Sequence, residues 1–478
     1  MYRKTEEPMQ PDFWDFNQTC GIALNRDDEW IRLADRIDWD AVEAEYRKHF
    51  KSGRGRPALS ARIALGALII QKKTGLSDRE LIKEIARNPY YQYFIGLPGF
   101  RSECPFRHGV LPDLRKRFGI DIILRINEMI LATSGPTAEH ADEKRVEPDG
   151  NGNLGTLILD ATCSPSDIRY PQDFSLLNEA REKLDAMIDR MHGLADEGRR
   201  PRTYRRVLRK EFLAMAKAKR RPAKKVRSLV RKMLCAVKRN LDFVDGYLGR
   251  GFAAERRESE ELETIRELYL QQKKMFDTGT HRVENRIVSI SKPFVRPIVR
   301  GKAKTPVEFG AKYDVSVDGK GHARLEKISF DAYNECSVLP DAVERFKERT
   351  GRYPSRVLVD RIYRTKANRD FCRERGITMS GRGPGRPPAG GSAEDAGKEK
   401  KNDRDRIEVE RFFSVGKRKF GAGLIMARLS DTTLGSIALS ILVANLFETD
   451  FGPLFLFYLA DSPDGEMSCH LIEFEEAV

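Results

Sequence analysis

The stretch DRDRIEVERFFSVGKRKFG, residues 403–421, crowds acids, bases and aromatics into one helix-length segment. On an α-helix, with about 100° between successive residues, Arg406, Glu410 and Lys417 fall within about 40° of one another. Val409, Phe412, Phe413 and Phe420 form an adjoining apolar face that would anchor the helix on a sheet. Glu408 points about 160° away from Glu410, toward solvent. An anchored helix would present one carboxylate flanked by two cations. The same spacing also suits a plain i,i+4 ion pair between Arg406 and Glu410, worth roughly 0.3 kcal/mol.

Two more acids stand out by position. Asp160 closes the apolar run LGTLILD, and Asp360 closes SRVLVD. Both runs read as buried strands bounded by turn signals. A carboxylate there is costly unless something positive offsets it, although a strand-end acid can also simply cap a turn. Two such acids and a helical glutamate supply the oxygen donors that a pair of Mg²⁺ ions needs. Ions held about 3.5–4 Å apart activate water and stabilise a leaving oxygen.

The elements that must position these residues can be read along the chain. Residues 58–74 have helical periodicity with Gly75 as a stop, and Ser77 and Glu80 make a capping box for the next helix. Two short helices on a tight turn predict a helix-turn-helix-like unit within an all-α domain over 1–133. GRGRP at 53–57 could be a minor-groove hook, but Pro57 near a helix start explains it more simply. A linker is expected at 134–153, rich in charge and turn formers. Beyond it a domain over 154–450 begins with the Asp160 strand and continues with a helical insertion at about 175–290. A hairpin around Asp318 and Gly319, a helix near 337–350 and the Asp360 strand follow. A flexible loop at 381–404, without the GK[ST] of a phosphate-binding loop, precedes the helix of Glu410 and a last helix at about 431–447; 451–478 is a tail.

The chain of 478 residues carries a formal charge of +14, and that excess is local. Between Arg199 and Arg239 stand 18 Lys or Arg and one acid, Glu211, so the remainder is slightly acidic. The block's apolar residues recur at helical spacing, which predicts basic amphipathic helices broken near Pro222. Like charges at this density repel unless counter-charge is supplied, and nucleic-acid phosphate is the expected source. Arg205, Arg206, Arg209, Lys224, Lys225 and Arg227 are the candidate DNA-binding residues; a solvated face and a membrane surface are the competing readings. The seven cysteines are scattered without CxxC or paired-histidine spacing, which indicates neither a disulfide framework nor a zinc site. No apolar signal region opens the chain, and Glu448 and Asp450 interrupt its most apolar tail, so no membrane span and a cytoplasmic location are expected.

The motifs LILDATCSPSDIRYPQD, EFGAKYDVSVDG, RYPSRVLVDRIYRTKANRDFCRERGI and RIEVERFFSVGKRKFGAGLIMARL resemble the bacterial insertion-sequence transposases of the DDE type, from near residue 30 to about 447. The resemblance implies an α/β RNase H-like catalytic core, a mixed sheet flanked by helices. It implies Asp160, Asp360 and Glu410 as catalytic, metal-binding carboxylates. Arg406 and Lys417 match an Arg-x3-Glu-x6-Lys signature expected to contact the DNA end. Asp403 stands where some relatives carry Tyr, and the insertion follows the first strand rather than the last. The implied function is metal-dependent strand cleavage and strand transfer at element ends, with two Mg²⁺ ions for which Mn²⁺ can substitute. The partners would be double-stranded DNA, both terminal inverted repeats and target, and further copies of the chain in a dimeric or larger synaptic complex associated with the nucleoid. A nuclease of the same fold without strand joining, and a non-catalytic transposase-derived DNA-binding protein, are the alternatives.

Overall fold

The structure, a computed structural model, describes residues 13–21, 23–50, 57–133, 148–195, 198–299, 306–381 and 393–448. Most of the linker expected at 134–153, residues 53–56 of GRGRP, residues 382–392 of the expected loop and the tail 451–478 lie outside the described residues.

Among the described residues eight α-helices come first: α1 (Phe13–Cys20), α2 (Glu29–Arg36), α3 (Trp39–Arg47), α4 (Ala61–Thr74), α5 (Asp78–Arg87), α6 (Pro89–Phe94), α7 (Leu111–Arg117) and α8 (Ile120–Thr133). α4 ends on Gly75, whose φ of 70° is the left-handed cap geometry that glycine adopts without strain. α5 starts with the reciprocal Ser77–Glu80 capping box. α4 is buried along most of its length, so it is the core of this helical body. α5 keeps Arg79, Lys83 and Arg87 exposed, and their i, i+4, i+8 spacing sets them on one face.

The chain then enters a mixed sheet. β1 (Thr156–Pro165) is followed by four helices: α9 (Asp173–Ala195), α10 (Arg205–Lys217), α11 (Ala223–Gly249) and α12 (Arg256–Thr278). These helices bury their own apolar core, including Leu184, Ile188, Met233, Val237 and Ile265. β2 (Arg296–Val299), β3 (Val307–Asp318) and β4 (Ala323–Ser329) return the chain to the sheet, and α13 (Leu339–Thr350), β5 (Arg356–Val359), α14 (Lys366–Glu374) and β6 (Thr378–Met379) complete it. The strand order is β2-β3-β1-β5-β6, with β4 also on β3. β1 runs antiparallel to β3 and parallel to β5.

The two sheet faces sort by strand alternation. Leu157, Leu159, Val357 and Val359 face α13 and α14. Ile158, Val315, Val317 and Leu358 face Val409, Ile437 and Ile441, which belong to α15 (Ala393–Lys419) and α16 (Ser430–Glu448). The core is therefore α/β with helices on both faces. Among the described residues α16 alone is long and apolar enough to cross a membrane, but most of that stretch is buried inside the protein. Its second half joins the core of α1–α8 through Leu442, Val443, Leu446 and Phe447.

Two local expectations need correction. The loop expected to reach 404 stops earlier, because α15 already begins at Ala393; the stretch is rich in Ala, Glu and Lys, which are strong helix formers. The strand expected to end at Asp160 continues to Pro165 because β3 pairs with it throughout, from Leu157↔Asp318 to Pro165↔Gly310. A side chain at Gly310 would collide with the Ser164 carbonyl, so glycine is what allows the strands to meet there.

Candidate active site

Asp160 lies in the middle of β1 but at the end of a pairing. β5 pairs with β1 only over residues 156–159, so beyond Leu159 that side of β1 opens. Asp360 directly follows the last residue of β5, and the parallel register Leu159↔Val359 sets the two aspartates side by side. This is the crevice at the carboxyl end of parallel strands where a ligand can reach side chains without breaking a ladder. Each carboxylate accepts the next backbone N–H: Ala161 N to Asp160 at 2.8 Å, and Arg361 N to Asp360 at 2.7 Å.

The electrostatics of the pair are unbalanced. Burial pushes the Asp160 carboxyl up to about 6; the Ala161 N–H and the Arg406 guanidinium oppose the rise, and the charges of Asp360 and Glu335 reinforce it. A buried carboxylate facing a second one is favourable only when a cation joins them.

α15 crosses the same face. Asp405 ion-pairs with Arg356 at the start of β5, at 2.6 Å, and Asn402 accepts from the same arginine at 3.1 Å. Val409 and Phe420 are fully buried, and Phe413 meets the Tyr313 ring edge-on. Anchored this way, the helix sets Lys417 against β1, with its Nζ donating to Thr162 Oγ1 at 2.8 Å, two residues beyond Asp160 on the same strand face. Arg406 is near enough to influence Asp160 and also ion-pairs with Glu410 at 3.4 Å. Glu408 is exposed and pairs with Arg411 at 3.5 Å, on the solvent side.

The hard-oxygen donors Asp160 and Asp360 thus suit a divalent cation, and the excess negative charge between them is what such an ion would offset. Glu410 is more than half exposed and turned to Arg406. Among the described residues no group of three or more His, Cys, Asp or Glu is arranged to hold a metal ion. The register thus brings Asp160 beside Asp360, and Glu410 on α15 faces Arg406.

Sequence reasoning passed over two acids behind the pair. Asp314, opposite Ala161 in β3, is fully buried on the α13 side of the sheet. Glu335 sits close enough to both Asp160 and Asp314 to raise their carboxyls, while its own charge is matched by Lys312 at 2.7 Å. The apolar run of β3 hides Asp314 in the sequence, since its partners are 19 and 49 residues away.

The basic block divides in two. Arg206, Arg209, Lys224 and Lys225 are exposed and enter no ion pair among the described residues. Arg205 instead makes two bonds to Asp189, both at 2.8 Å, and Arg227 lies over the Phe276 ring at 4.2 Å and donates to its carbonyl at 3.0 Å.

If Lys417 touches DNA beside the pair, Lys417→Ala lowers single-turnover strand cleavage by at least about tenfold, whereas Glu408→Ala leaves it within about twofold. A charge-assisted hydrogen bond of about 1.5–3 kcal/mol sets that scale. The opposite order would show that the other face of α15 meets the substrate.

Two known families match parts of the chain. Residues 19–117 match a transposase domain family (DUF772), and residues 357–447 match the transposase DDE domain family. The second match contains Asp360, Arg406, Glu410 and Lys417; Asp160 lies upstream of it. A relative described as an uncharacterized protein, ORF8 in the nfe locus of Rhizobium meliloti, is 27% identical over 169 residues, covering 35% of this chain and 77% of that protein. No solved structure matches.

Proposed function

We propose that the chain is an insertion-sequence transposase of the DDE type, a reading supported by its two transposase domain matches, and that it cuts DNA at the ends of its element and joins the freed ends to target DNA. One observation supports the reading: Asp160 and Asp360 each follow the last paired residues of β1 and β5, next to a helix whose Lys417 donates to Thr162 and whose Arg406 acts on the Asp160 carboxyl. We assign the α/β core to the RNase H-like fold, with Asp160, Asp360 and Glu410 as the carboxylates that would hold two Mg²⁺ ions. When bound, the ions activate the attacking oxygen and stabilise the leaving one.

The chain's own residues bind, orient and neutralise. Arg406 and Lys417 take the phosphates that flank the scissile bond and hold that bond in line with its nucleophile. Water attacks phosphorus, the P–O3′ bond breaks, and the 3′-hydroxyl leaves with a proton. That hydroxyl then attacks a target phosphodiester; one P–O bond forms and one breaks, so no energy source beyond DNA is consumed. The exposed arginines and lysines of α10 and α11 take more distant phosphates, and Arg79, Lys83 and Arg87 on α5 suit terminal-repeat recognition by the 1–133 domain. Pairing of two ends calls for a dimer or larger assembly.

The test uses duplex DNA carrying the sequence that flanks the coding region. With Mg²⁺ the protein should nick at one position to leave a 3′-hydroxyl, and a pre-nicked end should become joined to plasmid DNA. Nicking without joining would favour the nuclease reading, and binding without either would favour the non-catalytic one.

A further inference from the structure

Behind the aspartate pair, on the other face of the sheet, the carboxylate of Asp314 is gripped from two sides. Tyr363 donates its hydroxyl to one oxygen at 2.5 Å, and Tyr333 donates to the other. Asp314 and Tyr363 are fully buried, and the ammonium of Lys312 is engaged elsewhere, by Glu335 at 2.7 Å and the Tyr333 carbonyl at 3.1 Å. An apolar side chain would serve stability as well at such a position, because burying a charge offsets much of what its bonds return.

What the arrangement provides is location. Tyr363 closes the short turn Arg361–Tyr363, which is capped by Asp360 itself. Tyr333 belongs to the loop that leads to Glu335. Asn368 ties the two segments together, donating to the carbonyls of Tyr363 at 2.8 Å and Cys336 at 2.7 Å. The pairing of β3 with β4 shifts register between Asp314 and Val315, and such a bulge re-aims a side chain.

We propose that Asp314 is a positioning residue: by holding Tyr363 and Tyr333 it fixes the turn after β5 and thereby the stance of Asp360 toward Asp160. The inference rests on the reading of those two aspartates as cation ligands. Partners that orient such ligands typically account for about 10–100-fold in metal affinity, and Tyr363 acts here through three residues of backbone.

The experiment measures Mn²⁺ binding to the full chain without DNA, by electron paramagnetic resonance, for the parent, Asp160→Asn, Tyr363→Phe and Asp314→Asn. Tyr363→Phe keeps the ring and removes only the hydroxyl. We expect it to weaken Mn²⁺ about tenfold and to raise the Mg²⁺ concentration for half-maximal cleavage in parallel, with affinity for DNA unchanged. Asp314→Asn should do the same or more; if it fails to fold, Tyr363→Phe decides. A lower melting temperature with parental Mn²⁺ affinity would overturn the inference, leaving Asp314 only a stabilising role. If Asp160→Asn itself binds Mn²⁺ as the parent does, the cation site is wrong and the inference falls with it.

Discussion

Asp160→Asn, Asp360→Asn and Glu410→Gln each reduce DNA cleavage and joining by about 10³-fold or more, while folding and binding to DNA persist. The size follows from the role: a carboxamide is a poor ligand for a hard dication, and losing about 4 kcal/mol of charge stabilisation in the transition state gives that factor. The stability of Asp160→Asn moves the other way. In the folded protein burial raises the Asp160 carboxyl from its ordinary value of 3.8 to about 6. The folded state therefore holds the proton more tightly than the unfolded chain, and parental stability falls as pH rises from about 4 to about 6, then levels off. Asparagine mimics the protonated form at every pH. Metal-free Asp160→Asn should be more stable than the parent above pH 6, by roughly 3 kcal/mol, with the difference vanishing below pH 4. Denaturant titrations at pH 4 and pH 8 without divalent ions read this directly. Excess Mg²⁺ should restore the parent relative to the variant, because only the intact pair binds it in the folded state. A variant less stable than the parent at pH 8 would mean that Asp160 has a compensating partner.

The second large effect is on affinity. Changing Arg206, Arg209, Lys224 and Lys225 together to Ala should weaken binding to every DNA sequence alike. The slope of log K against log salt should flatten by roughly 0.9 for each phosphate that the protein no longer neutralises. Arg205→Ala should change the slope little, since Asp189 already occupies that guanidinium at 2.8 Å on both sides. Titrations between 50 and 200 mM salt, as rough bounds of the useful range, separate the cases. An unchanged slope in the fourfold variant would assign this surface to solvent.

Some of this architecture was open to reading in the sequence because it is local. The Ser77–Glu80 box and the Gly75 stop depend on residues within one turn, and both are realised. The amphipathic faces of α15 follow from helical angle alone, so the burial of Val409 and Phe420 and the exposure of Glu408 match the wheel. The position of Asp160 was harder. The apolar run before it suggested a strand end, whereas what ends there is the pairing with β5, a property of another segment. Asp314 was invisible for the same reason, since nothing within YDVSV announces two tyrosines arriving from other loops. The basic block illustrates both sides. Its charge is a matter of composition, but the removal of Arg205 by Asp189 is tertiary and could not be read from spacing.

The central claim is that Asp160 and Asp360 touch a divalent cation during DNA cleavage, and exchanging the ligand atom tests it most directly. Asp160→Cys replaces a hard oxygen by a softer sulfur, which Mg²⁺ accepts poorly and Mn²⁺ accepts better. Single-turnover cleavage of end-bearing DNA is then measured in each ion, for the parent and the variant. The account predicts a parent active in both, and a variant silent in Mg²⁺ that regains cleavage in Mn²⁺. A variant that cuts equally well in Mg²⁺ and Mn²⁺, at the parental rate, would contradict it, because the side chain at position 160 would then not be a ligand.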